Sequence, residues 1–393
     1  MENQVLVIGS TCVDVIIRVN HLPHTEENLH PDGQQFAIGG CAYNAANILG
    51  RGGAPVTFVT PVGLQGVFGA FVRDRLQTLP FAQPVYLPDA ANGCCYCLVE
   101  AGGERTFLSI HGAEYSFDPA WMARYAAERY AYGYVCGLEI EEKTGGLLAD
   151  YLKTAPIDRI LYAPGPRGAQ IAPERTAALF ALHPMLHLNA SEARALSGHS
   201  DLDEAMRALH QRTQAPVIAT LGRHGARVLA GDGALLTVPG QPVERVADTI
   251  GAGDAHAGAV LLGLSRGLSL PDAVALGNRV SAQVVQTAGA TLSDEALSRA
   301  ADEPAEIQSD VPPIRFTLRI DASMAFRVYD DFEEDQLSQA ENGDFIAHAA
   351  FMPGEWLISF ILGYGAHAKV LEPKALADAV CRELEKMSAL YKT

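Results

Sequence analysis

The sequence predicts an α/β fold, a mostly parallel sheet with helices on both faces, followed by a separate small α+β domain at the C-terminus. Three observations carry this expectation. Strand-length apolar runs alternate with helix-length amphipathic segments through residues 133–188, the pattern of strands joined by helical crossovers. At 246–266, VADTIGAGDAHAGAVLLGLSR, an extended approach meets small residues and then apolar positions at helical spacing (Ala257, Val260, Leu261, Leu264), so a turn opens a helix there. Residues 302–313 (DEPAEIQSDVPP) are acidic, contain Pro and show no hydrophobic period, and a new pattern begins after them.

At 393 residues and 48% hydrophobic content the chain exceeds one ordinary domain and can fill a large core. A formal charge of −17 without a long basic run disfavours a nucleic-acid partner, while leaving a small anion free to bind at a helix N-terminus. MENQVLVIGS lacks the basic segment and long apolar run of a signal peptide, and no apolar run reaches the ~18 residues of a membrane helix, so the expected location is cytoplasmic, with no membrane partner. Seven cysteines, an odd number, suggest neither a disulfide framework nor a zinc site; Cys94, Cys95 and Cys97 read as small packing residues of a strand.

In chain order, 4–9 and 12–19 read as strands, the second alternating around Asp14, and a polar loop follows at 21–33. Phe36 to Gly40 leads into a small-residue helix running to Leu49, where paired glycines let a ligand approach and Asn44 can hydrogen-bond hydroxyls. A strand is expected at 56–62 and a helix at 70–76. A hairpin at 93–108 turns at Ala101, Gly102 and Gly103. Strands at 133–136, 159–162 and 185–188 alternate with helices at 143–152 and 173–182, and a further strand lies at 216–220. Beyond 313 the pattern gives strands at 314–320, 344–352 and 368–371, with helices near 322–329, at 355–362 and at 373–391.

The chemistry concentrates at the 246–266 turn. The first N–H groups of a helix have no intrahelical partner and face the positive end of its dipole, so Gly251, Ala252 and Gly253 can cradle a phosphate. Asp254 at the edge of that cradle can take the proton of an attacking hydroxyl. Taken alone, the same residues serve equally well as a turn and a helix cap.

The wider pattern decides between them. DTIGAGD at 248–254, followed by a small-residue helix, resembles the C-terminal motif of the ribokinase-like (PfkB) carbohydrate kinases. The resemblance makes Asp254 the catalytic base and Gly251, Ala252 and Gly253 the anion hole. It continues through about residues 4–300 and implies substrate contacts at Asp14, Gly39, Gly40 and Asn44, with Arg105 as a further candidate. It also makes the strands near 12–36 and 93–110 a small β lid, a surface through which a homodimer could form. Asn189 and Glu192 match the NxxE motif, in which Glu192 orients Mg²⁺ through water, although the same pair would also make a helix capping box. Thr220, Gly222 and Gly225 match TxGxxG, the nucleotide loop; Asn278 and Gly289 border the adenine and the monovalent-cation site, and Asp248 would help hold K⁺. The expected enzyme is therefore an ATP-dependent carbohydrate or nucleoside kinase acting on an alcohol group, with ATP and Mg²⁺ as cofactors.

Two departures from the family motivate a rival, a non-catalytic sugar- or nucleoside-sensing regulator whose C-terminal domain relays occupancy. VGLQGVFG lacks the Asp usual in that loop, and Ala163 stands where DPxxR has its Asp, with Arg167 kept. The expected domains are 1–301 for the kinase, 302–313 for the linker and 314–393 for the tail. GEWLISFILGYGAHAKVLEPKALADAV resembles the C-terminal extension of WYL-type transcription regulators. Their helix-turn-helix and WYL barrel have no counterpart here, so DNA binding does not follow.

Overall fold

β1 (Val5–Ile8) is buried throughout, and its period of two splits the molecule: Val5 and Val7 point into one hydrophobic cluster, Leu6 and Ile8 into another. The computed structural model describes residues 3–31, 33–100, 105–243, 245–247, 249–287, 291–302, 308–309, 314–332, 336–340, 342–351 and 355–390. Its two units are Met1–Gln308 and Ser309–Thr393.

In the first unit β2 (Cys12–Arg18), β3 (Gln34–Gly39) and α1 (Cys41–Arg51) come first, then β4 (Val56–Gln65), α2 (Gly66–Leu76) and β5 (Ala82–Ala91). β6 (Cys94–Val99) and β7 (Arg105–Ile110) precede β8 (Tyr130–Cys136), α3 (Gly137–Glu141) and α4 (Gly145–Leu152). The alternation continues with β9 (Ile157–Ala163), α5 (Pro173–Phe180), β10 (Met185–Asn189), α6 (Ala190–Ser197), α7 (Leu202–Thr213) and β11 (Val217–Thr220). The antiparallel pair β12 (Ala226–Leu229) and β13 (Leu235–Val238) leads to α8 (Ala252–Ser265), α9 (Leu270–Val284) and α10 (Asp294–Asp302), and the short β14 (Gln308–Ser309) falls at the boundary of the units.

Among the described residues ten strands form the large sheet in the order β14-β13-β12-β11-β10-β9-β8-β1-β4-β5, parallel from β11 to β5. α1, α8 and α9 contribute to the cluster on one face, and α4, α5 and α7 to that on the other, the layering expected from sequence. The strand β5 escapes the sequence pattern because Pro84 and Pro88 interrupt it. Proline is tolerated there because β5 is the sheet's edge. The preceding loop is shorter than expected, since β4 runs on to Gln65 and α2 starts at Gly66.

A second sheet, ordered β3-β2-β6-β7, is the small lid. Its central pair is parallel and sets Asp14 beside Cys95, while β3 returns antiparallel and brings Gly39 opposite Cys12. Cys94 and Cys97 have the C-x-x-C spacing, but three residues along a strand point to opposite faces, so they cannot grip one metal together.

The second unit is βαββαβα: β15 (Ile314–Ile320), α11 (Ala325–Asp331), β16 (Leu337–Gln339), β17 (Phe345–Phe351), α12 (Glu355–Leu362), β18 (Ala368–Glu372) and α13 (Lys374–Leu390). Its sheet order β16-β17-β15-β18 is antiparallel and ferredoxin-like. Phe316, Leu318 and Ile320 alternate inward onto Leu357, Ile361 and Tyr364. β16 has only three residues, too few for a readable period.

Within the first unit α1 and α8 meet backbone to backbone. A Cβ on Gly258 would lie 2.6 Å from the Ala45 carbonyl oxygen and 2.9 Å from its Cα. Gly258→Val should therefore destabilise the fold by about 1–3 kcal/mol, the usual cost of forcing atoms into a packed core. The midpoint of urea unfolding reads this directly. An unchanged midpoint would mean that the two helices separate at no cost.

Candidate functional site

α8 begins without a side-chain cap: Gly251 is the N-cap, left-handed at φ 70°. A Cβ on Gly253 would meet nothing within 4 Å, so the helix start is open to a ligand. Asp254 sits in the first turn. Asn44 Nδ2 donates to Asp254 Oδ2 at 3.0 Å, and the Cys41 thiol, one turn earlier on the same helix, donates to the same carboxylate. Burial raises the Asp254 pKa, and these two donors oppose the rise.

β2, β3, α1, α3 and β8 all contribute to the group of residues around the start of α1. Gly39 is required because a Cβ there would fall 2.2 Å from Asp14 Oδ2. Gly40 lies at φ 106°, and a Cβ there would fall 2.7 Å from the Ser10 carbonyl oxygen. Glu139 on α3, which the sequence reading did not single out, is buried beside them. The Ser10 N–H and hydroxyl donate to its Oε1 at 2.9 and 2.8 Å, and a Cβ on Gly9 would lie 2.6 Å from that oxygen. Burial raises the Glu139 pKa against those hydrogen bonds. Glu139 Oε2, Asn44 Oδ1 and Tyr134 Oη are buried with no hydrogen-bond partner among the described residues. Cys41 and Cys136 lie against each other, Cys41 beside Asp254 and Cys136 beside Glu139.

A cleft of about 130 Å³ joins Asp254 and Gly253 to Asn189, Glu192, Thr220 and His187. Asn189 and Glu192 do form a capping box, each accepting the other's backbone N–H at 2.9 Å. Glu192 lines the cleft as well, so the structural role does not use up the carboxylate. Its pKa is raised by burial, with the Asp254 charge adding to the rise. The Thr220 hydroxyl donates to the Leu188 carbonyl at 3.4 Å. Gly222 and Gly225 form the turn after it, left-handed at φ 60° and 88°.

Arg105 opens β7 and donates to the Thr249 hydroxyl at 3.3 Å, tying the lid to the turn before α8. Ala163 lines the cleft, and Arg167 pairs with Glu141 at the surface. Asp248 and Gly289, expected at the monovalent-cation and adenine sites, lie outside the described residues.

Asn278 is buried and gives both amide hydrogens to the backbone, to Val238 at 3.0 Å and Pro239 at 2.9 Å. Its oxygen must then accept from His256 Nε2, 3.1 Å away, which leaves His256 Nδ1 to accept from His187 Nε2 at 2.8 Å. The network thus assigns one tautomer to each ring. Both imidazoles are neutral: burial holds His256 down to about 4 and His187 well below its ordinary range. The chain of bonds connects the cleft to the loop after β13.

Residues 2–297 match the family described as pfkB family carbohydrate kinase, and 312–388 match the WCX domain. The sugar kinase YegV of Escherichia coli is 35% identical over 288 residues, covering 72% of this chain and 89% of that one. Mouse ribokinase is 27% identical over 297 residues, covering 72% and 90%. Among solved structures, ribokinase from Giardia lamblia superimposes with a TM-score of 0.67 at 20% identity, over 77% of this chain and 99% of that one.

The histidine pair makes stability pH-dependent. His256 titrates near 4 in the fold and at its ordinary 6.5 when unfolded, so between those values the unfolded chain binds more protons and stability falls with falling pH. The loss should be on the order of 3 kcal/mol across that window. Urea titrations at several pH values should show a shallower acid-side loss in H187Q/H256Q than in the wild type; parallel curves would remove the pair from this role.

Proposed function

The chain belongs to the pfkB family of carbohydrate kinases, and on that premise we propose that it transfers the γ-phosphoryl group of ATP to a hydroxyl of a neutral sugar or nucleoside, with Asp254 as general base. One observation carries the assignment of the site. Two buried hydrogen-bonding atoms without partners among the described residues, Asn44 Oδ1 and Tyr134 Oη, lie beside a carboxylate set at an uncapped, open helix start, and Glu139 Oε2 is a third such atom beyond Cys41 and Cys136. Buried polar atoms of this kind ordinarily have partners, and the hydroxyls of a bound polyol would supply them.

In this reading Asp254 accepts the proton of the attacking hydroxyl while the backbone N–H groups from Gly251 to Asp254 face the charge that develops on the phosphoryl oxygens. Asn44 and Cys41 hold the carboxylate in its orientation. Asp14 and Glu139 accept hydrogen bonds from the remaining hydroxyls, and Gly39 and Gly40 let the backbone close on the sugar. Three carboxylates around one acceptor pocket repel a second phosphate, which favours a neutral acceptor over a sugar phosphate. Asn189, Thr220, Gly222 and Gly225 border the nucleotide.

Glu192 fits a hard cation. It offers a carboxylate in the cleft that Asp254 also lines, and Mg²⁺ takes oxygen ligands while keeping several waters. When bound, Mg²⁺ would neutralise charge on the ATP phosphates. K⁺ would be held by Asp248 and neighbouring carbonyls.

Asp254→Asn should lower kcat by about 10²–10⁴ or more while ATP affinity stays near that of the wild type. Wild-type turnover in that variant would rule out Asp254 as base. Asn44→Ala tests the support of the carboxylate. Losing a donor to the ionised form raises the Asp254 pKa, so the acidic limb of the kcat/KM profile should move to higher pH. An unmoved limb would leave Asn44 as a substrate contact alone.

A further inference from the structure

The loop between β2 and β3 brings two imidazoles and a carboxylate together: the donor atoms of His21, His24 and Glu27 all lie within 4.8 Å of one another. We propose that these three side chains form a binding site for a borderline divalent cation such as Zn²⁺. The proposal is independent of the kinase reading, because the site belongs to the joint of the lid rather than to the catalytic cleft.

The spacing comes from a turn. Glu27 N–H donates to the His24 carbonyl at 3.1 Å, with Glu26 left-handed at φ 65°, and this sets His24 and Glu27 side by side. The His24 N–H also donates to Glu27 Oε2 at 2.9 Å. One carboxylate oxygen is thus fixed by the backbone and the other, Oε1, is turned toward His21 Nε2 at 2.7 Å. That arrangement orients a monodentate ligand through a hydrogen bond to its second oxygen. The two imidazole rings stand 5.4 Å apart between centroids, tilted by 31°.

The distances suit a tetrahedral ion. Bonds of about 2.0–2.2 Å to nitrogen and oxygen place neighbouring donor atoms about 3.3 Å apart. The observed separations, from 2.7 Å for the His21–Glu27 pair up to 4.8 Å, bracket that edge, so small rotations of exposed side chains close the site. In the metal-free loop the His21–Glu27 hydrogen bond holds the position that the ion would take.

The donor set selects the metal class. Two nitrogen ligands and one oxygen suit Zn²⁺, Co²⁺, Ni²⁺ or Cu²⁺, whereas Mg²⁺ and Ca²⁺ take all-oxygen shells. His21 and Glu27 are partly exposed, which leaves an entry path and a fourth position for water. Binding would staple the turn joining the strand that carries Asp14 to the strand that ends at Gly39, and so would stiffen the lid at its hinge.

Co²⁺ is the probe, because its visible absorption separates nitrogen and oxygen ligands from thiolates. Tag-free full-length protein, in excess Mg²⁺, should bind one Co²⁺ with a nitrogen–oxygen spectrum, and Zn²⁺ should displace it. His24→Ala and Glu27→Gln should each weaken binding by more than about tenfold, with unfolding midpoints in the absence of metal like that of the wild type. No binding by the wild type, or binding unchanged in H21A/H24A/E27Q, would overturn the site; a thiolate spectrum would place the metal on the cysteines instead.

Discussion

The contact on which the site depends is a close approach between two helices. Gly258 of α8 has no Cβ, and the space one would need is taken by the Ala45 backbone of α1. Only because the axes come this near can Asn44 reach Asp254 at 3.0 Å. A side chain at 258 would push apart the helix that carries Asp254 and the helix that carries its donors. The same two helices carry opposite halves of the proposed chemistry, since α8 opens on the phosphate cradle and α1 follows the paired glycines of the acceptor pocket. Packing and the proposed catalysis are thus coupled through one glycine.

Burying carboxylates is costly, and this region of the first unit buries several. Asp254, Glu139 and Glu192 all have pKa values raised by burial, and each is partly compensated by specific donors: Asn44 and Cys41, Ser10, and the Asn189 N–H respectively. The compensation is incomplete at Glu139 Oε2 and Asn44 Oδ1. In a structural core such a shortfall would be a defect. On the proposed reading it is what a site for hydroxyl-rich ligands requires, because a bound acceptor would complete the hydrogen bonding.

Much of this was legible in the sequence, and the reasons are local. The GAG turn and Asp254 depend on backbone conformation and helix start, both encoded within a few residues. Asn189 and Glu192 were visible as a capping pair, and the structure adds only that the cap faces the cleft. Glu139 was not legible: GLEIEE reads like a solvated helix start, and its burial comes from Gly9 and Ser10, which follow β1 and pack against its carboxylate. The His187–His256–Asn278 chain joins residues 69 and 22 positions apart, and no single stretch announces it. Asn278 itself was expected at the adenine, and the structure shows its amide and oxygen engaged with the loop after β13 and with His256. β5 was hidden by its prolines for a reason that only its edge position explains. In the tail, the long strands and helices were readable and the three-residue β16 was not.

The central claim is that the acidic, partly unsatisfied pocket beside Asp254 turns over a neutral polyol at the expense of ATP. The measurement that tests it most directly is ATP consumption by the full-length protein with Mg²⁺ across free sugars, nucleosides and sugar phosphates, with binding measured in parallel. The account predicts turnover with a free sugar or nucleoside and little with any sugar phosphate. Tight binding without turnover anywhere in the panel, or a preference for a phosphorylated acceptor, would contradict it.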